Sequence, residues 1–235
     1  MIREEFNIRK NEIDSFYEIL KIVELENPEL SAYNLMKEKY ETLGFNRSKI
    51  DTLRSTAYLL LYNLIESTIY NSVTTIFDAI KDSQLKYFEI IEDVRQYWLN
   101  NMYKHDEKKK KETIIDTMMR IADQIFENTI ELASNEISYG GSLDAQAIFA
   151  TAKSMRINVN NLHKIYNKNT HGQTLIDIKQ KRNWLAHGEK SFIEVERTTT
   201  FSQLKEAKEY ITVFLNEFIN SVESYIENKH FKIEL

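Results

Sequence analysis

Through most of this chain apolar residues recur at spacings of three and four, the period of a helix that buries one stripe and leaves the rest in water. In the first such stretch, about residues 5–25, Ile13, Phe16, Tyr17, Leu20 and Val23 mark the stripe, and Asn27-Pro28 ends it. A shorter helix is expected over about 31–42, stopped by Gly44. The longest pattern follows. With Asn46 or Ser48 as cap, Ile50, Leu53, Ala57, Leu60, Leu61, Leu64, Thr68 and Ile76 hold helical register to about Ile80. Ser83 is expected to cap a helix through Trp98, and Lys104 to Lys111 reads as a charged connection, with Lys108–Lys111 a solvated loop. A fifth helix is expected over about 112–135. After a break at Tyr139-Gly140-Gly141, Ser142 would cap a sixth, about Leu143 to Met155.

The last third begins with a polar, Asn-rich linker. Thr170 then stands as the cap of a helix through Leu175, Ile178, Trp184 and Leu185, with Gly188 as its C-terminal stop. The alternation in Phe192-Ile193-Glu194-Val195 points to one short extended segment. A closing helix over about 202–228 presents Leu204, Tyr210, Ile211, Phe214, Leu215, Phe218 and Val222. The fold class expected from this pattern is all-α, and no internal repeat is visible.

Composition narrows the function classes. One Pro and five Gly among 235 residues leave few helix breakers, and the absence of Cys removes disulfides, thiolate metal sites and cysteine nucleophiles. The N-terminus lacks the apolar core of a signal peptide, and the longest apolar run, Ala57 to Leu61, is too short to cross a bilayer. A soluble, cytoplasmic protein without a membrane partner is expected. The net charge of −5 argues at first against a polyanionic ligand. Its distribution reverses that: residues 151–190 carry eight cations against two acids, a local +6, which leaves −11 on the rest of the chain. Such polarity suits a protein that presents one cationic surface to nucleic acid.

Within the basic stretch, Lys181-Arg182-Asn183-Trp184-Leu185-Ala186-His187-Gly188 gathers a guanidinium, an amide and an imidazole in the last turns of one helix. Arg offers fixed donors matched to phosphate oxygens, and His exchanges a proton near neutral pH. Asn183 and His187 lie four apart, on one face. Arg182 lies about 140 degrees around the helix from His187 and reaches the same side by its long stem. Trp184 and Leu185 are expected to anchor the helix in the core. His163 and His171 read as surface residues of the linker.

The run from Arg182 to Gly188, late in a helical chain and followed by a loop and a closing helix, resembles the HEPN family, whose signature is Arg, four to six residues, then His, commonly with Asn after the Arg. Leu59-Leu60-Leu61-Tyr62-Asn63-Leu64-Ile65-Glu66-Ser67-Thr68 and Gly141-Ser142-Leu143-Asp144-Ala145-Gln146-Ala147-Ile148 are similar to the branch of small stand-alone HEPN proteins of prokaryotic defence and toxin loci. The resemblance covers about Ile50 to Ile226, so residues 1–45 are read as an N-terminal helical extension and 46–235 as the HEPN-like domain.

The resemblance implies a four-helix core with added N-terminal helices, acting as a homodimer whose two Arg-His motifs meet. It implies a metal-independent endoribonuclease without a cofactor, with Arg182, His187 and Asn183 catalytic and Glu66 supporting them. The neighbouring cations Lys179, Lys181 and Lys190 are the expected RNA contacts. An antitoxin or defence-system protein is the expected regulatory partner. Glu189 stands where some relatives carry a tyrosine open to nucleotidylation. The alternative is a non-catalytic HEPN module that binds RNA, a nucleotide or a partner protein.

Overall fold

A computed structural model describes residues 2–106, 111–127, 130–132, 137, 143–166, 171–195 and 199–234. Its centre is α2 (Arg47–Asp82), roughly 54 Å long at the usual helical rise. Asn46 is its cap, its side chain accepting from the Lys49 amide. Buried residues such as Ala57, Leu61, Leu64, Ile69, Val73 and Phe77 occupy more than half the circumference of α2, because several helices pack on it. α1 (Ile2–Val23), α7 (His171–Ala186), α8 (Phe192–Val195) and α9 (Phe201–Glu227) all pack on it. Full burial of each large apolar side chain contributes about 1.5–3 kcal/mol, so this shared core holds the site's helices in place. The observed elements are mostly helical, in agreement with the expected class.

α1 follows its expected stripe, burying Phe6, Ile13, Tyr17, Leu20 and Val23. Both its ends are tied by charge. The Arg3 guanidinium pairs with Glu223 and donates to Asn216 of α9. Buried Arg54 of α2 pairs with Glu24 just past the other end and donates to the Thr199 carbonyl at 3.1 Å. α9 opens with a reciprocal capping box between Thr200 and Gln203.

The helix expected over 31–42 is instead an antiparallel hairpin, β1 (Glu29–Asn34) with β2 (Lys39–Gly44), in the register Leu30 to Leu43 and Tyr33 to Tyr40. Turn chemistry decided it. The Asn34 side chain accepts from the Met36 and Lys37 amides, and Glu38 adopts a left-handed φ of 49° that interrupts any helix. Tyr33 and Tyr40 meet edge to face, and the Ser31 and Thr42 hydroxyls bond across the strands. No core lies under this segment to reward a helical stripe: Leu35 and Met36 are 82% and 98% exposed.

Other expected boundaries shift for local reasons. Ser83 does not start a helix; it is the C-cap of α2, and Gln84 turns the chain with a φ of 50°. A single 3-10 turn at Tyr87–Glu89 precedes α3 (Glu92–Asp106), which therefore begins later and runs past Trp98 into the expected connection. α4 (Lys111–Glu127) ends before the expected 135, since residues 130–132 are not helical and the Glu131 carbonyl accepts from Trp98 Nε1 at 2.8 Å. Asp144 caps α5 (Ala145–Ser154) through the Ala147 amide. Ser142, the Tyr139–Gly141 break, Thr170 and Lys108–Lys110 lie outside the described residues. The linker holds a short helix, α6 (Asn160–Ile165), that periodicity did not reveal.

The extended segment expected at Phe192–Val195 is the helical turn α8. Ser191 and Glu194 cap each other reciprocally, and Ser55 of α2 donates to the Phe192 carbonyl. Four residues are too few for periodicity to separate a strand from a turn of helix. Among the described residues, no helix is long and apolar enough to cross a membrane.

Candidate active site at the end of α7

α7 ends where its sequence says it should. Gly188 takes a φ of 70°, and the Glu189 amide donates to the Trp184 carbonyl at 2.9 Å while the Gly188 amide reaches Leu185 at 3.4 Å, the paired bonds of a Schellman stop. His187 is therefore the last half-helical residue, exposed, its own amide bonded to the Asn183 carbonyl at 3.0 Å. Leu175 and Ile178 sink into the core, with Trp184 and Leu185 packed against it, leaving the polar edge of the helix outward.

That edge faces the middle of α2. The Arg182 guanidinium lies over the Tyr62 ring at 4.5 Å, donates to Asn183 Oδ1 at 3.1 Å and stands 3.7 Å from a Glu66 carboxylate oxygen. Tyr62 and Glu66 are four apart on α2 and so share a face. Tyr62 itself is fully buried, its hydroxyl accepting from the Leu143 amide at 2.9 Å, so the ring is a fixed platform. Burial, reinforced by the Glu66 charge, pushes the Tyr62 phenol above its ordinary range. The Tyr70 phenol is raised by the same causes. Both therefore stay neutral, and Arg182 meets one carboxylate and a ring face rather than a phenolate.

Asn183 links the two ends of the site, touching Arg182 through its side chain and His187 through its carbonyl. Among the described residues the His187 imidazole has no hydrogen-bond or ion-pair partner. Arg182 and Glu66 keep 24% and 30% of their side-chain surface, enough for a ligand to reach. With His187 exposed and Arg182 and Glu66 partly so, the arrangement is an edge open to solvent.

The three neighbouring lysines diverge. Lys190 is exposed, with its ammonium 3.3 Å from the centre of the Trp184 ring. Lys179 turns to α5 and pairs with Asp144 at 2.6 Å. Burial pushes the Asp144 carboxyl up, but the hydrogen bonds from Lys179 and the Ala147 amide outweigh it and hold the group below the usual carboxylate range. Lys181 turns toward α9, donating to the Tyr58 hydroxyl at 2.7 Å and Thr199 Oγ1 at 2.8 Å, at the edge of a groove of about 710 Å³ between α7 and α9. His163 is exposed but stacks flat on Phe149 at 4.3 Å. The His171 side chain lies outside the described residues.

Sequence reasoning missed Tyr62 as a site residue, although it sits inside the quoted Leu59–Thr68 run, one helical turn before Glu66. It also missed the Trp184–Lys190 stack, which depends on the chain doubling back after Gly188. Among the described residues no three His, Cys, Asp or Glu side chains gather as a metal ion would require.

Fold and edge together define an α-helical domain in which one packed helix ends in a half-buried arginine and asparagine and an exposed histidine. The sequence matches the family model described as MAE_28990-like HEPN over residues 1–231, so the chain belongs to the HEPN family. The matched region takes in α1 and the hairpin as well as the bundle. No curated protein and no solved structure matches the chain.

Proposed function

We propose that this protein is a metal-independent endoribonuclease that works as a homodimer and serves as a toxin or anti-phage effector. The observation that carries the reading is the end of α7, where a guanidinium seated on a ring beside one carboxylate is followed five residues on by an exposed imidazole without a partner among the described residues. Family membership supports it, since ribonuclease activity is common among HEPN domains.

In this reading His187 of one subunit takes the proton from a ribose 2'-hydroxyl. The 2'-oxygen attacks the adjacent phosphorus, and Arg182 stabilises the charge that gathers on the phosphoryl oxygens. The bond to the 5'-oxygen breaks, and that oxygen receives its proton from the second subunit's imidazole. The products are a 2',3'-cyclic phosphate and a 5'-hydroxyl end. Asn183 and Glu66 hold the guanidinium in place, and Lys190 is the neighbouring lysine the reading keeps on the RNA backbone. An open edge suits a site that a second copy completes.

The test is induced expression in a bacterial host with sequencing of RNA ends. Growth arrest with new 5'-hydroxyl ends is expected, and His187→Ala and Arg182→Ala should each abolish both while the purified proteins keep their helical circular dichroism. A dimer that binds RNA and leaves it intact would sink the enzyme reading in favour of a binding module.

A further inference from the structure

A second cavity, of about 770 Å³, opens where α5 and α9 end and α3 begins. It lies roughly 30 Å along α9 from the groove beside Lys181. Arg95, Arg156, Lys229 and Lys232 line it against Glu92 and Glu234, with His230 beside them, an excess of cations in a chain of net charge −5.

The backbone is shaped to place two of these cations. Arg156 and Lys229 have φ values of 57° and 51°, each at the first residue past a helix C-cap, Met155 or Asn228, where glycine is usual. The Ile157 amide reaches the Ala152 carbonyl at 2.8 Å and the His230 amide reaches Tyr225 at 3.0 Å, which fixes both turns. Compensation of the helix dipole explains a cation at each of these C-termini, and Arg156 is already paired with Asp93 at 2.8 Å.

It does not explain Arg95. That residue sits in the first turn of α3, the positive end of the dipole, where a cation is disfavoured. Among the described residues its Nε is buried without a hydrogen-bond partner, and its guanidinium rests 5.2 Å from the Tyr87 ring and 5.6 Å from Phe88. Nor does it explain Lys232. The tail that carries Lys232 is pinned to the cavity wall, the Ile91 amide donating to the Phe231 carbonyl at 2.9 Å and the Ile233 amide to Glu89 at 2.8 Å. Arg95, whose guanidinium packs on two rings, the exposed Lys229 and Lys232, and the start of α3 all border one volume.

We propose that this cavity binds a phosphate-bearing ligand, with Arg95 bonding the phosphate oxygens and Lys229 and Lys232 supplying the surrounding charge. Its size falls within the range of small-molecule sites, about 300–1,000 Å³, so a mononucleotide fits. Two sources share that chemistry, a free nucleotide and the backbone of an RNA strand.

Titration calorimetry on the whole protein tests the site without any cleavage assay, so its outcome is separate from that of the nuclease reading. The probes are pyrophosphate, ATP and a DNA oligonucleotide that lacks the attacking hydroxyl. Saturable binding is expected, weakened about tenfold by each of Arg95→Gln, Lys229→Gln and Lys232→Gln. Lys229 and Lys232 are exposed, so those two variants fold even if Arg95→Gln does not. ATP binding as tightly as the oligonucleotide assigns the site to a nucleotide; affinity that rises with oligonucleotide length assigns it to the RNA backbone. Absence of binding to all three probes at millimolar concentration, or binding that none of the variants weakens, overturns the proposal.

Discussion

The two sides of α7 put adjacent cations to different uses. Lys181 and Arg182 each stack on a tyrosine of α2, and the two rings, Tyr58 and Tyr62, stand one helical turn apart. On the side toward α9, the Lys181 ammonium is consumed by two hydroxyl oxygens within 2.8 Å. On the side toward the middle of α2, among the described residues, Arg182 spends one hydrogen bond on Asn183 and stands 3.7 Å from Glu66, past good hydrogen-bond length. A guanidinium has five N–H donors, so most of its capacity is left for a ligand. Position in sequence did not separate these residues; the acceptors around them did.

Replacing Arg182 by Lys tests that division most severely. The charge stays but the planar fork goes, and single-turnover RNA cleavage should fall by about a hundredfold or more. The melting temperature should drop only about 2–4 °C, because a partly buried cation–π contact contributes roughly 1 kcal/mol and the ammonium retains part of it. Glu66→Gln comes next. It keeps the shape and removes the charge that seats the guanidinium, so kcat should fall about tenfold to a hundredfold with KM little changed; a change confined to KM would show that Glu66 meets substrate instead.

Lys181→Met should behave in the opposite way to Arg182→Lys. Loss of its bonds to Tyr58 and Thr199 should lower stability by about 1–2 kcal/mol in urea unfolding while cleavage stays near wild type. Cleavage falling as far as in Arg182→Lys would break the comparison. The smallest effect belongs to Asp144→Asn, which retains a capping oxygen for α5 but loses the pair with Lys179. Because the folded Asp144 carboxyl lies below its ordinary range, its contribution is fully present above the unfolded pKa of about 3.9 and disappears as pH falls through the folded value. The variant should therefore be less stable by about 0.5–1 kcal/mol at neutral pH, with the gap closing in acid.

How much of this was legible beforehand depended on the kind of signal. Long periodic stretches declared themselves: α1, α2, α7 and α9 lie close to where apolar spacing put them, because stripes of many residues average out local noise. Gly188 marked the end of α7 because a positive φ favours glycine there. Short segments were misread. The hairpin at 29–44 and the turn at 192–195 are governed by single side chains, Asn34 and Ser191, that bond their own backbone and outweigh weak propensities.

The sequence by itself determined the helical class, the four long helices and the Arg-Asn-His edge on one of them, since each depends on residue type and spacing along a single element. Which cations remain open to a ligand, which tyrosine carries the guanidinium, and the gathering of Arg95, Arg156, Lys229 and Lys232 around one cavity were decided only by tertiary structure. Those facts depend on which acceptors arrive from other helices, up to 137 residues away between Arg95 and Lys232, and no local pattern encodes that distance.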